Sequence, residues 1–164
     1  LVVLVTPVID YKVRDYCLLP YPDHPKGCPN YGKSDRCPPI IGYFDEIYDL
    51  SQPIYAIVGE YDLKSHVDNL RLKHNNWSER QLRCVLYWQK TARKLLREEV
   101  NDWLIYNPQF TPTQCPEAMG LNVIKTLNTV NVKLQFPPID IVHLVVICGI
   151  LKNTINKSVE IELF

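Results

Sequence analysis

Glycine is scarce in this chain, with six in 164 residues. No G-x-S-x-G, P-loop or dinucleotide glycine fingerprint occurs. Little material is left for a phosphate cradle, so nucleotide-dependent chemistry has no support in the sequence. Net charge is lacking as well, because 18 Lys and Arg balance 18 Asp and Glu. Without a basic excess there is no general electrostatic reason to bind nucleic acid. A long hydrophobic run is also missing. The longest, Ile141 to Leu151, is too short to span a bilayer and contains His143. LVVLV at the start has no basic region before it and no small-residue cleavage site after it, so it reads as a strand, with a truncated signal peptide as the minor alternative. These absences lead us to expect a soluble, cytoplasmic protein with no membrane contact. No internal repeat or low-complexity segment divides the chain, and its length suits one domain, residues 1–164.

Cysteine and proline, by contrast, are abundant and unevenly placed. The stretch YCLLPYPDHPKGCPNYGKSDRCPP, residues 16 to 39, holds three cysteines, six prolines and two glycines in 24 residues. Such a segment is neither a regular helix nor a strand interior. Cys17, Cys28 and Cys37 lie in this opening loop, residues 15–40, and Cys115 lies in a second irregular segment, NPQFTPTQCP. The spacing Cys17-x10-Cys28-x8-Cys37 is neither a zinc-finger C-x2-C pair nor a ferredoxin run. The company of proline says more. Cys28, Cys37 and Cys115 each precede a Pro, where six cysteines among 13 prolines in 164 residues should meet about half a following Pro by chance. Proline fixes the backbone just beyond the thiol and keeps a ligand loop irregular. A loop with little apolar content cannot offset an ordering cost of roughly 1–2 kcal/mol per residue. A structural metal worth on the order of 10 kcal/mol can. The opening loop is therefore a candidate metal site, with scattered loop thiols as the bland alternative. Disulfides are disfavoured, because Cys84 and Cys148 fall in periodic segments where a free Cys behaves as a small hydrophobe.

The rest of the chain reads as strands and helices in segregated runs. Leu1 to Val5, Pro53 to Tyr61, Val132 to Phe136, Ile141 to Ile147 and Ser158 to Phe164 are expected strands, the last two joined as a hairpin through Asn153 to Lys157. Tyr43 to Leu50 forms a short helix in this reading, and Lys64 to His74 a second. One long helix is expected over 77–106, opened by a Ser78–Gln81 capping box with Trp77 stapled on Leu82 and closed before Pro108. Another spans Pro116 to Asn131. The expected class is α+β, a small mixed β-sheet covered by helices with a cysteine-rich N-terminal metal-binding loop. Residues 71 to 97 carry Arg71, Lys73, Arg80, Arg83, Lys90, Arg93, Lys94 and Arg97 against Glu79 alone. This stripe is the wet side of a helix or the contact for an acidic partner, with RNA given little weight.

CPNYGKSDRCPP resembles the cysteine motif of a family known only as predicted metal-binding proteins of unknown function, common in anaerobic bacteria and archaea. The family pattern is a Cys, then a Cys close to Tyr-Gly-Lys, then Cys-Pro-Pro. The similarity continues through WSERQLRCVLYWQKTARKLL (Trp77 to Leu96), PEAMGLNVIKT (Pro116 to Thr126) and the strand Val142 to Gly149. The resemblance carries the family ligands onto Cys28 and Cys37. It carries a further ligand onto Cys17, although the family has a shorter gap there and this chain inserts YPDHPKG. Cys115 stands where the family carries a Cys ahead of its Glu-Ala-x-Gly segment. The resemblance implies metal binding, as an iron–sulfur cluster of the 4Fe-4S type, and no established reaction.

Three functions follow as expectations. The first is a cluster protein working in electron transfer, or as a subunit or assembly factor of a larger complex. The second is an enzyme whose three-cysteine cluster leaves one iron open. The third is a zinc-stapled interaction module. The expected ligands are Cys17, Cys28, Cys37 and Cys115, with His24 as the alternative fourth. Cys84 and Cys148 are expected to be structural, and Lys26, Lys33 and Arg36 flank the site.

Overall fold

The computed structural model describes residues 1–20, 24–135 and 137–152. Its centre is a four-stranded sheet in the order β1-β2-β4-β3, formed by Val2–Val5, Ile54–Asp62, Thr111–Thr113 (β3) and Ile141–Gly149 (β4). Every pairing is antiparallel, so the sheet is not mixed as the sequence led us to expect. The class is α+β. The two long strands pair over their whole length, from Tyr55 opposite Cys148 to Asp62 opposite Ile141. Both are rich in β-branched residues and are covered on both faces, which suits central strands. β3 reads Thr-Pro-Thr and gave no strand signal. Its proline is tolerated because the strand lies at the sheet edge and needs partners on one side only.

The helices are α1 (Phe44–Ile47), α2 (Leu63–Lys73), α3 (Glu79–Leu82), α4 (Val85–Tyr106) and α5 (Val123–Asn128). α4 lays Trp88, Ala92, Leu96 and Val100 against the sheet at a spacing of one turn each. Leu96 and Val100 meet Ile57, Val146 and Cys148, while Trp88 and Ala92 meet Leu63, Val67, Leu82 and Val142. The other sheet face, with Ile54, Ala56, Val58 and Ile147, is covered by Phe44, Tyr48, Met119, Leu121, Val123 and Leu127.

Three helices are shorter than the sequence predicts, and the one expected over Tyr43 to Leu50 keeps only Phe44–Ile47. The expected helix over 77–106 is broken after one turn. Its capping box forms, with Ser78 and Gln81 bonded reciprocally. The chain then leaves the helix at Cys84, which takes an extended backbone and becomes the N-cap of α4. The Arg83 carbonyl is held there by the Trp88 indole N–H at 3.3 Å instead of by a helical amide. The expected helix over 116–131 is interrupted by Gly120, whose φ of 79° is left-handed. A Cβ at Gly120 would lie 3.1 Å from the Tyr11 ring and 3.3 Å from the Tyr43 ring, so close packing also requires glycine. Only a 3-10 turn, Glu117–Met119, precedes it, and α5 follows once Asn122 caps Lys125 N–H at 3.0 Å. Residues 132–135 form no strand. The expected hairpin strand, 158–164, and its turn at 153–157 lie outside the described residues. No described helix is long and apolar enough to cross a membrane.

Candidate metal centre

The opening loop is tied to the sheet from both ends. Beyond β1, the chain runs alongside the Gly120 turn. Asp10 N–H donates to the Gly120 carbonyl at 2.8 Å, Asn122 N–H donates to the Val8 carbonyl at 2.9 Å, and Ile9 bridges Leu121. Val8 N–H donates to the fully buried Thr126 hydroxyl at 2.9 Å. A 3-10 helix, Tyr11–Leu18, follows and packs against the short turn Glu117–Met119. Cys17 sits near the end of the first of these elements, and Cys115 lies just before the second. Two segments far apart in sequence thus meet because the strand-like run 8–10 pairs with 120–122.

Within the loop, backbone hydrogen bonds take the place of an apolar core. Cys28 N–H donates to the Cys17 carbonyl at 2.7 Å, which brings the first two cysteines together across their gap. Gly27 makes this approach possible: its φ is +80°, and a Cβ there would stand 2.5 Å from the Cys17 carbonyl oxygen. Tyr31 N–H bonds the Cys28 carbonyl at 3.1 Å, Gly32 N–H the Pro38 carbonyl at 2.7 Å, and Cys37 N–H the Ser34 carbonyl at 3.0 Å. The Cys37 carbonyl accepts from Ile40 and Ile41, turning the chain back towards α1. Of residues 24 to 41 only Gly27 and Pro38 are buried.

Cys17, Cys28, Cys37 and Cys115 are all half-buried free thiols. Burial pushes the Cys17 thiol up, and Cys28, Cys37 and Glu117 push it further, so these groups lie within electrostatic reach of one another. Burial likewise raises Cys115, with Cys37 and Glu117 acting in the same direction. Three arginines oppose the shift: Arg14 at Cys17, and Arg36 and Arg93 at Cys115. Arg36 is one of the flanking cations read from the sequence. Arg14 and Arg93 are not among them. Arg14 stands three residues before Cys17 in a 3-10 helix, where such residues eclipse. It donates to the Ile41 carbonyl and lies 4.5 Å over the Tyr43 ring, clasping the two ends of the loop. A basic residue at i−3 from a cysteine could have flagged it only if the 3-10 helix had been foreseen. Glu117 was also missed, although it directly follows the Cys-Pro pair. As a residue it is exposed, yet its carboxyl is hemmed in and burial holds its pKa above the usual carboxylate range.

The remaining candidates stand elsewhere. Cys148 is fully buried in β4 and burial pushes its pKa up to about 12. Cys84 caps α4 and is half-buried. His24 lends its carbonyl to Gly27 N–H in the turn before Cys28. Among the described residues no three His, Cys, Asp or Glu side chains close on a single metal position. Cys28 and Cys37 act electrostatically on Cys17, and Cys37 acts on Cys115, without closing on one another as a ready metal-holding group. No family model matches the chain, and no curated protein or solved structure matches it either.

Proposed function

We propose that the chain holds an iron–sulfur cluster of the 4Fe-4S type through Cys17, Cys28, Cys37 and Cys115. We place it in electron transfer, or as a subunit or assembly factor of a larger complex. One observation carries this reading: the Cys28 N–H donates to the Cys17 carbonyl and the Cys37 thiol acts on both Cys17 and Cys115, in a region with almost no apolar core. The motif resemblance at Cys28 and Cys37 adds to it. When bound, such a group supplies one-electron chemistry. The chain's own residues would do the rest. Gly27 and the Cys28-to-Cys17 hydrogen bond set the approach of two ligands. Arg14, Arg36 and Arg93 favour the thiolate forms and offset their negative charge. Burial that raises an empty thiol pKa is overcome by the positive charge of a metal, with release of the protons.

The test is anaerobic reconstitution with iron and sulfide, followed by iron per chain and visible absorption. Cys17→Ser, Cys28→Ser and Cys37→Ser should each lose most of the iron. Cys115→Ser should lose it too, and His24→Ala should keep it. A wild type that binds zinc but no iron and sulfide would overturn the reading in favour of the interaction module. Retention by both Cys115→Ser and His24→Ala would move the open-iron enzyme ahead.

A further inference from the structure

We propose that the outer face of α4 around Lys90, Arg93 and Arg97 is the docking surface for a small acidic electron-carrier protein, an inference that rests on the cysteines holding a redox group. The face is a groove of about 280 Å³ lined by Leu86, Gln89, Lys90, Arg93 and Arg97. These positions recur at three- and four-residue spacing and flank the stripe that α4 buries. The basic run from Arg71 to Arg97 is not uniform. Arg71 pairs with Asp68 and Glu79, Arg83 pairs with Glu79, and Lys94 pairs with Glu98 at 3.7 Å. Lys90, Arg93 and Arg97 are exposed, and among the described residues they make no ion pair. Three uncompensated like charges on one face repel one another, and an acidic surface removes that cost.

Two further features choose the occupant. The helix that carries the groove packs through Leu96 and Val100 on Phe110 and Cys148, and Cys148 pairs with Pro112 at the sheet edge that leads into Cys115. The groove therefore lies on the element packed against the strand that ends at the candidate metal centre. Leu86 stands 80% exposed among the cations, an apolar anchor with a charged rim, the usual anatomy of a protein contact. Single-stranded nucleic acid would call for stacking rings beside the cations, and the groove lining contains no aromatic residue.

The experiment titrates the full chain, purified anaerobically and assayed for iron in the same sample, with a small acidic plant-type ferredoxin by calorimetry. Wild type should bind, and binding should weaken at least about tenfold on raising salt to about 0.5 M, where exposed charges are screened. The double reversal K90E/R97E, which spares Arg93, should abolish binding while leaving the iron content and the helical signal unchanged. A control reversal of exposed basic residues on α2 and α3, K73E/R80E, should bind as wild type does. Failure of the ferredoxin to bind an iron-loaded chain, equal binding by the double reversal, or tighter binding of a single-stranded RNA oligomer would each overturn the docking surface. Binding through the stripe by a chain that never takes up iron would instead remove the cluster reading and leave the surface standing.

Discussion

Gly27 carries more of the candidate site than any cysteine does alone. Its left-handed backbone lets the chain pass so close to Leu18 that an added Cβ would lie 2.8 Å from the Leu18 carbonyl carbon, and there Cys28 N–H reaches the Cys17 carbonyl. An Ala there adds roughly 1–2 kcal/mol of left-handed strain even before the clash. We expect Gly27→Ala to retain iron at least about tenfold more weakly than wild type while the sheet stays folded. Equal iron per chain would show that the Cys17–Cys28 approach is not needed. Cys148 makes the opposite case. Its side chain fills the space between α4 and β2, and its pKa of about 12 against an ordinary 9.0 means that the folded state prefers the neutral thiol. The stabilisation is complete below the unfolded thiol pKa and is lost as pH rises from 9.0 towards about 12. Accordingly, native protein at pH 8 should leave Cys148 unlabelled by iodoacetamide while denatured protein labels it, as peptide mass mapping would read. Native labelling at the rate of the loop cysteines would refute its burial.

At the scale of elements, what could be read from the sequence follows how local each signal is. β2 and β4 announce themselves because each is a continuous apolar run, and α2 because Val67 and Leu70 recur at helical spacing. The break at Cys84 was hidden, since no Gly or Pro marks it and the Arg83 carbonyl it frees is taken up by a side chain, the Trp88 indole. β3 was hidden because Pro112 argues against a strand until the neighbour on its one paired side is known. Of the site, Cys28, Cys37 and Cys115 could be singled out by their prolines, and Cys17 by lying in the same proline-rich segment. Arg93 could not, because it reaches Cys115 from α4 on the far side of a tertiary packing, and Arg14 only once the 3-10 helix that brings it over Cys17 is known. The joint between the run at 8–10 and the segment after Gly120 is testable. Thr126 is fully buried and its hydroxyl receives Val8 N–H at 2.9 Å. Thr126→Val keeps the volume and removes the acceptor, leaving an amide without a partner at a cost of about 1–3 kcal/mol. We expect a correspondingly lower urea midpoint and weaker iron retention together, because the same run sets the 3-10 helix that carries Cys17 against the turn that follows Cys115. A loss of stability with iron retention intact would separate the joint from the site.

The whole molecule divides into a part that its core holds and a part that it does not. The sheet with α4 and the Phe44–Leu127 layer buries nearly every large apolar side chain that is fully enclosed. The loop from 24 to 41 contributes almost nothing to that core and rests on turn hydrogen bonds near the surface. Segments of that kind open locally at little cost, while central strands open only with global unfolding. Binding a group through Cys17, Cys28, Cys37 and Cys115 would close the loop onto the turn at Glu117. Loop-closure cost grows only with the logarithm of the length spanned, so the wide gap to Cys115 is a small obstacle beside metal–thiolate bonding. Amide hydrogen exchange of the empty and the iron-loaded chain should therefore differ in one place. Amides of Tyr31, Gly32, Cys37, Ile40 and Ile41 should exchange quickly when empty and at least about a hundredfold more slowly when loaded, a local gain of near 2.7 kcal/mol. Amides paired between β2 and β4 should change little beyond the overall gain that binding confers. If the loaded loop exchanges as fast as the empty one, the iron is held elsewhere. If the empty loop is already as protected as β4, the turns alone order it and the argument that the cysteines stand in for a missing core fails.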